Sequence, residues 1–136
     1  MKVAVAGYFD PIHDGHLDHF EKAKALGDYL VVIIGTEQQS VRKKGWYFLT
    51  LEGKKRLLLA YKHLVDEVVV NIDIDGTCAE TLKKVKPDIF AKGGGEYNIP
   101  QKEIEVCKEL GIKIVYNIGD RLNSSSRLGK LIQCAV

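Results

Sequence analysis

A chain of 136 residues, 46% of them hydrophobic, is long enough for one domain with its own core and too short for two ordinary ones. Its 20 Lys and Arg against 18 Asp and Glu leave a net charge of +2, which gives no reason to expect a nucleic-acid partner. No segment approaches membrane-spanning length, the start carries no secretory signal, and Cys78, Cys107 and Cys134 are scattered as free thiols in a reducing compartment would be, so a cytoplasmic protein is expected.

Strand and helix alternate along the chain. Val3 to Ala6 reads as a short buried strand, broken by Gly7 and Pro11, and Gly15 to Leu26 reads as a helix on which Leu17, Phe20 and Ala23 recur every third position. Gly27 suits a left-handed residue after the last turn. Between strand and helix lies Gly7-Tyr8-Phe9-Asp10-Pro11-Ile12-His13-Asp14-Gly15-His16, which sets two imidazoles at a helix N-terminus. Unpaired N–H groups and the positive end of the helix dipole favour an anion there. His13 and His16, three apart, can face it from one side, and Gly15 lets a phosphate lie against the backbone. The other readings are two satisfied surface histidines, or a metal site that includes His19; the cysteines have no paired spacing that would complete a zinc site.

Tyr29 to Gly35 is the second strand, followed by a polar loop containing Ser40-Val41-Arg42-Lys43-Lys44-Gly45. Leu51 to Leu64 is a helix with its apolar stripe at Leu57, Leu58, Tyr61 and Leu64 and the basic run Lys54-Lys55-Arg56 beside it. Glu67 to Val70 is the third strand. Thr77 can cap a helix through Val85, with Glu80 completing a capping box and Pro87 marking the end. Ile89 to Ala91 is the fourth strand and leads into Lys92-Gly93-Gly94-Gly95. Gln101 to Leu110 is helical and stops at Gly111, Ile112 to Tyr116 is the fifth strand, and Ser124 to Cys134 a last helix. Without linker or repeat, residues 1–136 form one domain. Five strands separated by helices imply an α/β fold with one doubly wound parallel sheet, which binds ligands beyond the carboxyl ends of its strands.

The setting Gly7-x-Phe9-Asp10-x-x-His13-x-Gly15-His16 resembles the signature of the cytidylyltransferase-like nucleotidyltransferases. The resemblance runs on through Leu64-Val65-Asp66-Glu67-Val68-Val69, Lys86-Pro87-Asp88-Ile89-Phe90-Ala91-Lys92-Gly93-Gly94 and Ser124-Ser125-Ser126, covering nearly the whole chain. It implies a Rossmann-like sheet in the order 3-2-1-4-5, so that the loops after the first and fourth strands border one cleft. It also implies the reaction: an acceptor phosphate attacks the α-phosphorus of a nucleoside triphosphate, brought in with Mg²⁺, and expels pyrophosphate. Positioning and positive electrostatics suffice for this chemistry.

Carried over residue by residue, the resemblance gives His16 the α-phosphate and His13 the triphosphate. It places Gly7, Tyr8, Phe9, Gly15, Lys92 and Gly93 at the nucleotide. Ser124, Ser125 and Ser126, with Arg127, would hold the β- and γ-phosphates, helix capping being the plain alternative. Lys44 is the candidate for a mobile cation bridging acceptor and α-phosphate, with Lys43 as substitute and ordinary solvated charge as the other reading. Asp10 holds the loop or meets the acceptor, and one cation of Lys54-Lys55-Arg56 stands near the acceptor or triphosphate, Lys55 being the one assigned to the acceptor while Lys54 and Arg56 stay open. Asp66 and Glu67 fall on the wrong edge of the sheet for the cleft and read as packing or subunit contacts in an expected homodimer.

The Lys92-Gly93-Gly94 stretch is similar to the domain that adenylylates heptose 1-phosphate, which implies a place in lipopolysaccharide biosynthesis, and the serine run is similar to adenylyltransferases generally. Both favour ATP, and a small phosphorylated acceptor such as a sugar phosphate is expected, although no residue reads sugar against flavin. Arg121 keeps CTP and a polyol phosphate open, although Leu122-Asn123-Ser124 departs from the glycerol-phosphate cytidylyltransferase pattern. An archaeal type of FAD synthetase shares the histidine motif, so FMN is a third acceptor. Class I aminoacyl-tRNA synthetases also carry His-x-Gly-His, but their lysine-serine signature is missing here; a noncatalytic nucleotide sensor would use the same loops.

Overall fold

A computed structural model describes residues 1–95 and 99–119. The strands β1 (Lys2–Gly7), β2 (Tyr29–Ile34), β3 (Glu67–Val70), β4 (Ile89–Ala91) and β5 (Lys113–Val115) form one parallel sheet in the order β3-β2-β1-β4-β5. The expected order is therefore the observed one. β1 and β2 pair over their full length, from Lys2 opposite Tyr29 to Gly7 opposite Ile34, and β4 joins the other side of β1 at Val3 and Ala4.

Alternate residues of the central strands enter separate cores, as the period of two in a strand requires. Val3, Val5, Leu30, Val32, Ile34, Ile89 and Ala91 pack with Phe20 and Ala23 of helix α1 (Asp14–Lys24) and Leu58 of helix α3 (Leu51–Leu59). On the opposite face Ala4, Ile33 and Phe90 pack with Ala79 and Leu82 of helix α4 (Ala79–Val85) and Val106 and Cys107 of helix α5 (Gln101–Leu110). Both described cysteines, Cys78 and Cys107, are free and buried.

Four local expectations need correction. Residues 37–44 form a helix, α2 (Glu37–Lys44), where a polar loop was expected; Thr36 and Gln39 make a full capping box and Gly45 closes the helix at φ 86°. α3 is shorter than the apolar stripe suggested, because after Ala60 the chain tightens: Tyr61 N–H bonds Leu58 O and Leu64 N–H bonds Tyr61 O. Gly27 does not take a left-handed turn after α1. A Cβ there would lie 2.5 Å from the carbonyl oxygen of Met1, so the glycine serves a close approach to the start of β1.

The fourth concerns α4. Thr77 is not its N-cap, which is Cys78 with no side-chain bond, although Thr77 Oγ1 accepts the N–H of Ala79 at 3.3 Å. The buried Asp73 accepts from the N–H of Glu80 at 2.8 Å and of Thr81 at 3.0 Å instead, and Glu80 turns outward to Lys83 at 3.1 Å. The helix expected over Ser124 to Cys134 lies outside the described residues, as does Arg121.

Candidate active site

The site is built at the carboxyl ends of β1 and β4, which are neighbours. β1 ends on Gly7 because Phe9 folds back over it: a Cβ on Gly7 would lie 2.9 Å from Phe9 Cζ. Phe9 takes the left-handed backbone region at φ 50° and is buried. Its ring makes edge contacts with His16 at 4.9 Å and Phe20 at 5.2 Å between centroids. Phe9 thus shapes the turn from inside and gives His16 a hydrophobic wall.

His13 and His16 cap α1 for each other. His13 is the N-cap, and its Nδ1 accepts the N–H of Gly15 at 3.1 Å, while Nδ1 of His16 accepts the N–H of His13 at 3.2 Å. The rings stack with centroids 3.8 Å apart and planes 19° apart. An imidazole whose Nδ1 accepts from the backbone carries its neutral-state hydrogen on Nε2. Each ring therefore presents one fixed N–H donor, and Nε2 of His13 is buried with no hydrogen-bond partner among the described residues. Burial lowers the His13 pKa, and it lowers that of His16 to about 3, with the charges of His13, His19 and Lys44 acting in the same direction. These are neutral donors, not imidazolium ions.

His19 does not join them. Its Nδ1 lies 2.5 Å from the carbonyl of Ile118, to which it can only donate, so this ring ties α1 to the chain after β5. A Cβ on Gly93 would lie 3.9 Å from the same imidazole, which brings the loop after β4 against α1. Among the described residues no group of three or more His, Cys, Asp or Glu stands ready to hold a metal ion.

Three lysines approach this edge and differ in what holds them. Lys54 of α3 is fully buried, with Nζ bonding the carbonyls of Tyr8 at 2.9 Å and Gly35 at 2.5 Å, and so stitches the ends of β1 and β2 together. Lys44 ends α2; its Nζ donates to the Asp10 carbonyl at 2.9 Å. Burial lowers the pKa of both lysines. Lys92, just after β4, pairs at 3.7 Å with Oε1 of Glu103, a residue only 4% exposed whose other oxygen accepts the N–H of Cys78. Lys55, placed at the acceptor from the sequence, is half-buried and lies 3.6 Å from Glu52 of its own helix.

Asp10 is fully buried and turned inward, accepting the N–H groups of Phe48 at 2.9 Å and Leu49 at 2.7 Å. It holds the segment after α2 against the histidine turn. Tyr8 packs against Gly35, where a Cβ would lie 2.7 Å from Tyr8 Cδ1. Asp66 and Glu67 stand at the amino end of β3, away from the cleft, Asp66 bonding Lys24 and the N–H of Leu30, Glu67 the hydroxyl of Tyr29. Ser124, Ser125, Ser126 and Arg127 lie outside the described residues. The residues that sequence reasoning missed are Lys54 as the buried member of its basic run, Glu103 as the partner of Lys92, and Trp46.

A family model described as cytidylyltransferase-like matches residues 4–118. The chain belongs to that family. Its nucleotidyltransferase type agrees with the paired donors at the helix terminus. The FAD synthase of Ferroglobus placidus is 37% identical over 112 residues, covering 82% of this chain and 71% of that protein. The bifunctional protein HldE of Helicobacter pylori is 38% identical over 104 residues, covering 76% of this chain and 22% of HldE. The crystal structure of a lipopolysaccharide core biosynthesis protein from Thermoplasma volcanium GSS1 superposes with a TM-score of 0.65 at 29% identity, covering 85% of this chain and 94% of that one. No described helix is long and apolar enough to cross a membrane.

Proposed function

We propose that the protein transfers AMP from ATP to a phosphate monoester, with FMN as the first acceptor to test. The observation that carries this reading is the buried Nε2 donor of His13, without a partner among the described residues, beside the equivalent donor of His16 at the start of α1. A phosphoryl oxygen satisfies such donors, and a helix N-terminus adds to the attraction.

In the step itself an acceptor phosphate oxygen forms a bond to the α-phosphorus while the bond to the β-phosphate oxygen breaks, releasing pyrophosphate. His16 donates to the α-phosphoryl oxygens as negative charge builds there, and His13 holds the triphosphate. Lys44 brings a positive charge to the acceptor side, and Mg²⁺ enters as part of the substrate, on the triphosphate. The acceptor phosphate is already ionised and needs no general base, in keeping with the backbone-bound carboxylate of Asp10.

Similarity to a FAD synthase over most of the chain supports ATP and FMN. Similarity to HldE and the Lys92-Gly93-Gly94 stretch support a sugar phosphate as second acceptor. Purified protein is assayed with ATP or CTP against FMN, sugar phosphates and polyol phosphates, read by pyrophosphate and product mass. ATP with FMN is expected to give FAD at a higher kcat/KM than any CTP pair. A preference for CTP overturns the adenylyl reading, and nucleotide binding without turnover on any acceptor leaves a sensor.

A further inference from the structure

Trp46 is the chain's single tryptophan, and it sits over the ammonium assigned to the acceptor side. Nζ of Lys44 lies 4.4 Å from the centroid of the Trp46 ring and 5.8 Å from that of Tyr8, while donating to the Asp10 carbonyl. The indole is held in turn: the Phe48 ring lies 4.6 Å from it, and the N–H groups of Phe48 and Leu49 bind the buried Asp10 carboxylate. One aspartate thus fixes both the carbonyl under the ammonium and the strand of chain that carries the ring above it.

The nature of these partners is the telling point. Lys92 faces the carboxylate of Glu103, and Lys55 that of Glu52. Lys44 is in contact with a neutral carbonyl and the π faces of neutral rings, and feels the Asp10 carboxylate, itself bound to two backbone N–H groups, without pairing with it directly. Such contacts orient a cation and shield it from water, but an anionic phosphoryl oxygen competes with them far better than with a carboxylate. The Asp10 carbonyl that holds the ammonium lies three residues before His13 in the same turn, so the lysine stands beside the histidines.

We propose that Trp46 is a positioning residue: with Tyr8 and the Asp10 carbonyl it forms a neutral resting cage that holds Lys44 beside the histidine turn and releases it to the phosphates of the bound substrates. The inference rests on the reading of Lys44 as the cation that meets phosphate. Because the ammonium exchanges one set of partners for another, its release to the triphosphate adds little to ATP affinity, and its main effect on rate comes once the acceptor is bound as well.

Trp46 is its own reporter. Adding α,β-methylene-ATP to the wild-type protein is expected to change Trp46 emission as the ammonium leaves the ring. In Lys44→Met the analogue should bind within about threefold of wild type by calorimetry, while most of the emission change is lost. An emission change that persists in Lys44→Met overturns the proposal, because the ligand then acts on the indole directly. A Lys44→Met protein that no longer binds the analogue overturns it too, since the ammonium would already be part of the nucleotide seat. In kinetics, Trp46→Leu should lower kcat/KM for the acceptor roughly tenfold with ATP affinity nearly unchanged, and Trp46→Phe, which keeps a ring face, should recover most of the loss. Unchanged kinetics in Trp46→Leu also overturn it. Should Trp46→Leu fail to fold, Trp46→Phe and the emission comparison decide. If no acceptor supports turnover, the proposed activity fails, and the emission experiment still judges the cage.

Discussion

Lys44 and Lys54 bring the same charged group to the same edge of the sheet, ten residues apart, and the fold uses them in opposite ways. Lys54 is wholly buried and bonds two carbonyls, one from the end of β1 and one from the end of β2. Leaving this position would strand those carbonyls in the interior. Lys44 has one carbonyl and two ring faces, and remains partly exposed at the end of α2. A cation whose partners depend on it is architecture; one whose partners are satisfied without it is free to move to a substrate. Basic residues near an anion site are best sorted by what their departure would leave behind.

The largest effect is expected from neither lysine but from the fixed donors of the histidine turn. His16→Ala should lower kcat by about 10² to 10³ with a much smaller change in ATP affinity, because its N–H meets charge that develops only in the transition state. Steady-state kinetics beside calorimetry check this, and normal turnover would remove His16 from the chemistry.

Lys54→Met should cost about 2–4 kcal/mol of folding stability by urea denaturation, from two buried carbonyls left without a donor. Lys44→Ala should stay within about 1 kcal/mol of wild type while losing activity with both substrates present. Equal destabilisation by the two variants would break the distinction between them.

Much of the site was legible in the sequence for reasons that particular residues make plain. Gly7, Pro11 and Gly15 bound the turn, and Lys86-Pro87 and Gly111 bound β4 and α5, because such residues act on the local backbone whatever surrounds them. The capping box of α2 was equally local, with Thr36, Gln39 and Gly45 all in place, but the basic run at its end drew the reading toward a loop. Asp73 capping α4, Glu103 beneath Lys92 and the burial of Lys54 rather than Lys55 depend on contacts between distant segments. No spacing along the chain encodes them. The mutual capping of His13 and His16 lies between these cases: their three-residue spacing put both at the helix start, but only the geometry shows that Nδ1 is consumed on each ring.

A smaller effect sharpens the contrast between mobile cation and neutral donors. His16 stays neutral in the fold down to about pH 3, whereas in the unfolded chain it titrates near its ordinary 6.5. Between those values the unfolded chain binds the extra proton, so this contribution to stability is full above pH 6.5 and falls as the pH drops toward 3, by up to about 1.4 kcal/mol per pH unit. The lowered pKa values of His13 and His19 add in the same sense. Urea midpoints between pH 7 and pH 5 should show the decline, and His16→Asn should flatten it. A stability that rises on acidification would mean that the imidazoles are charged in the fold.

The central claim is that two neutral imidazoles, each capped through Nδ1, aim Nε2–H groups at a phosphate seat. Nitrogen-15 NMR of the histidine rings at pH 7 tests it most directly. His13 and His16 should show unprotonated Nδ1 and protonated Nε2, and their Nε2–H resonances should shift on addition of Mg·ATP while the Nδ1–H of His19 moves little. Rings that carry the proton on Nδ1, or Nε2–H signals that ignore ATP, would contradict it.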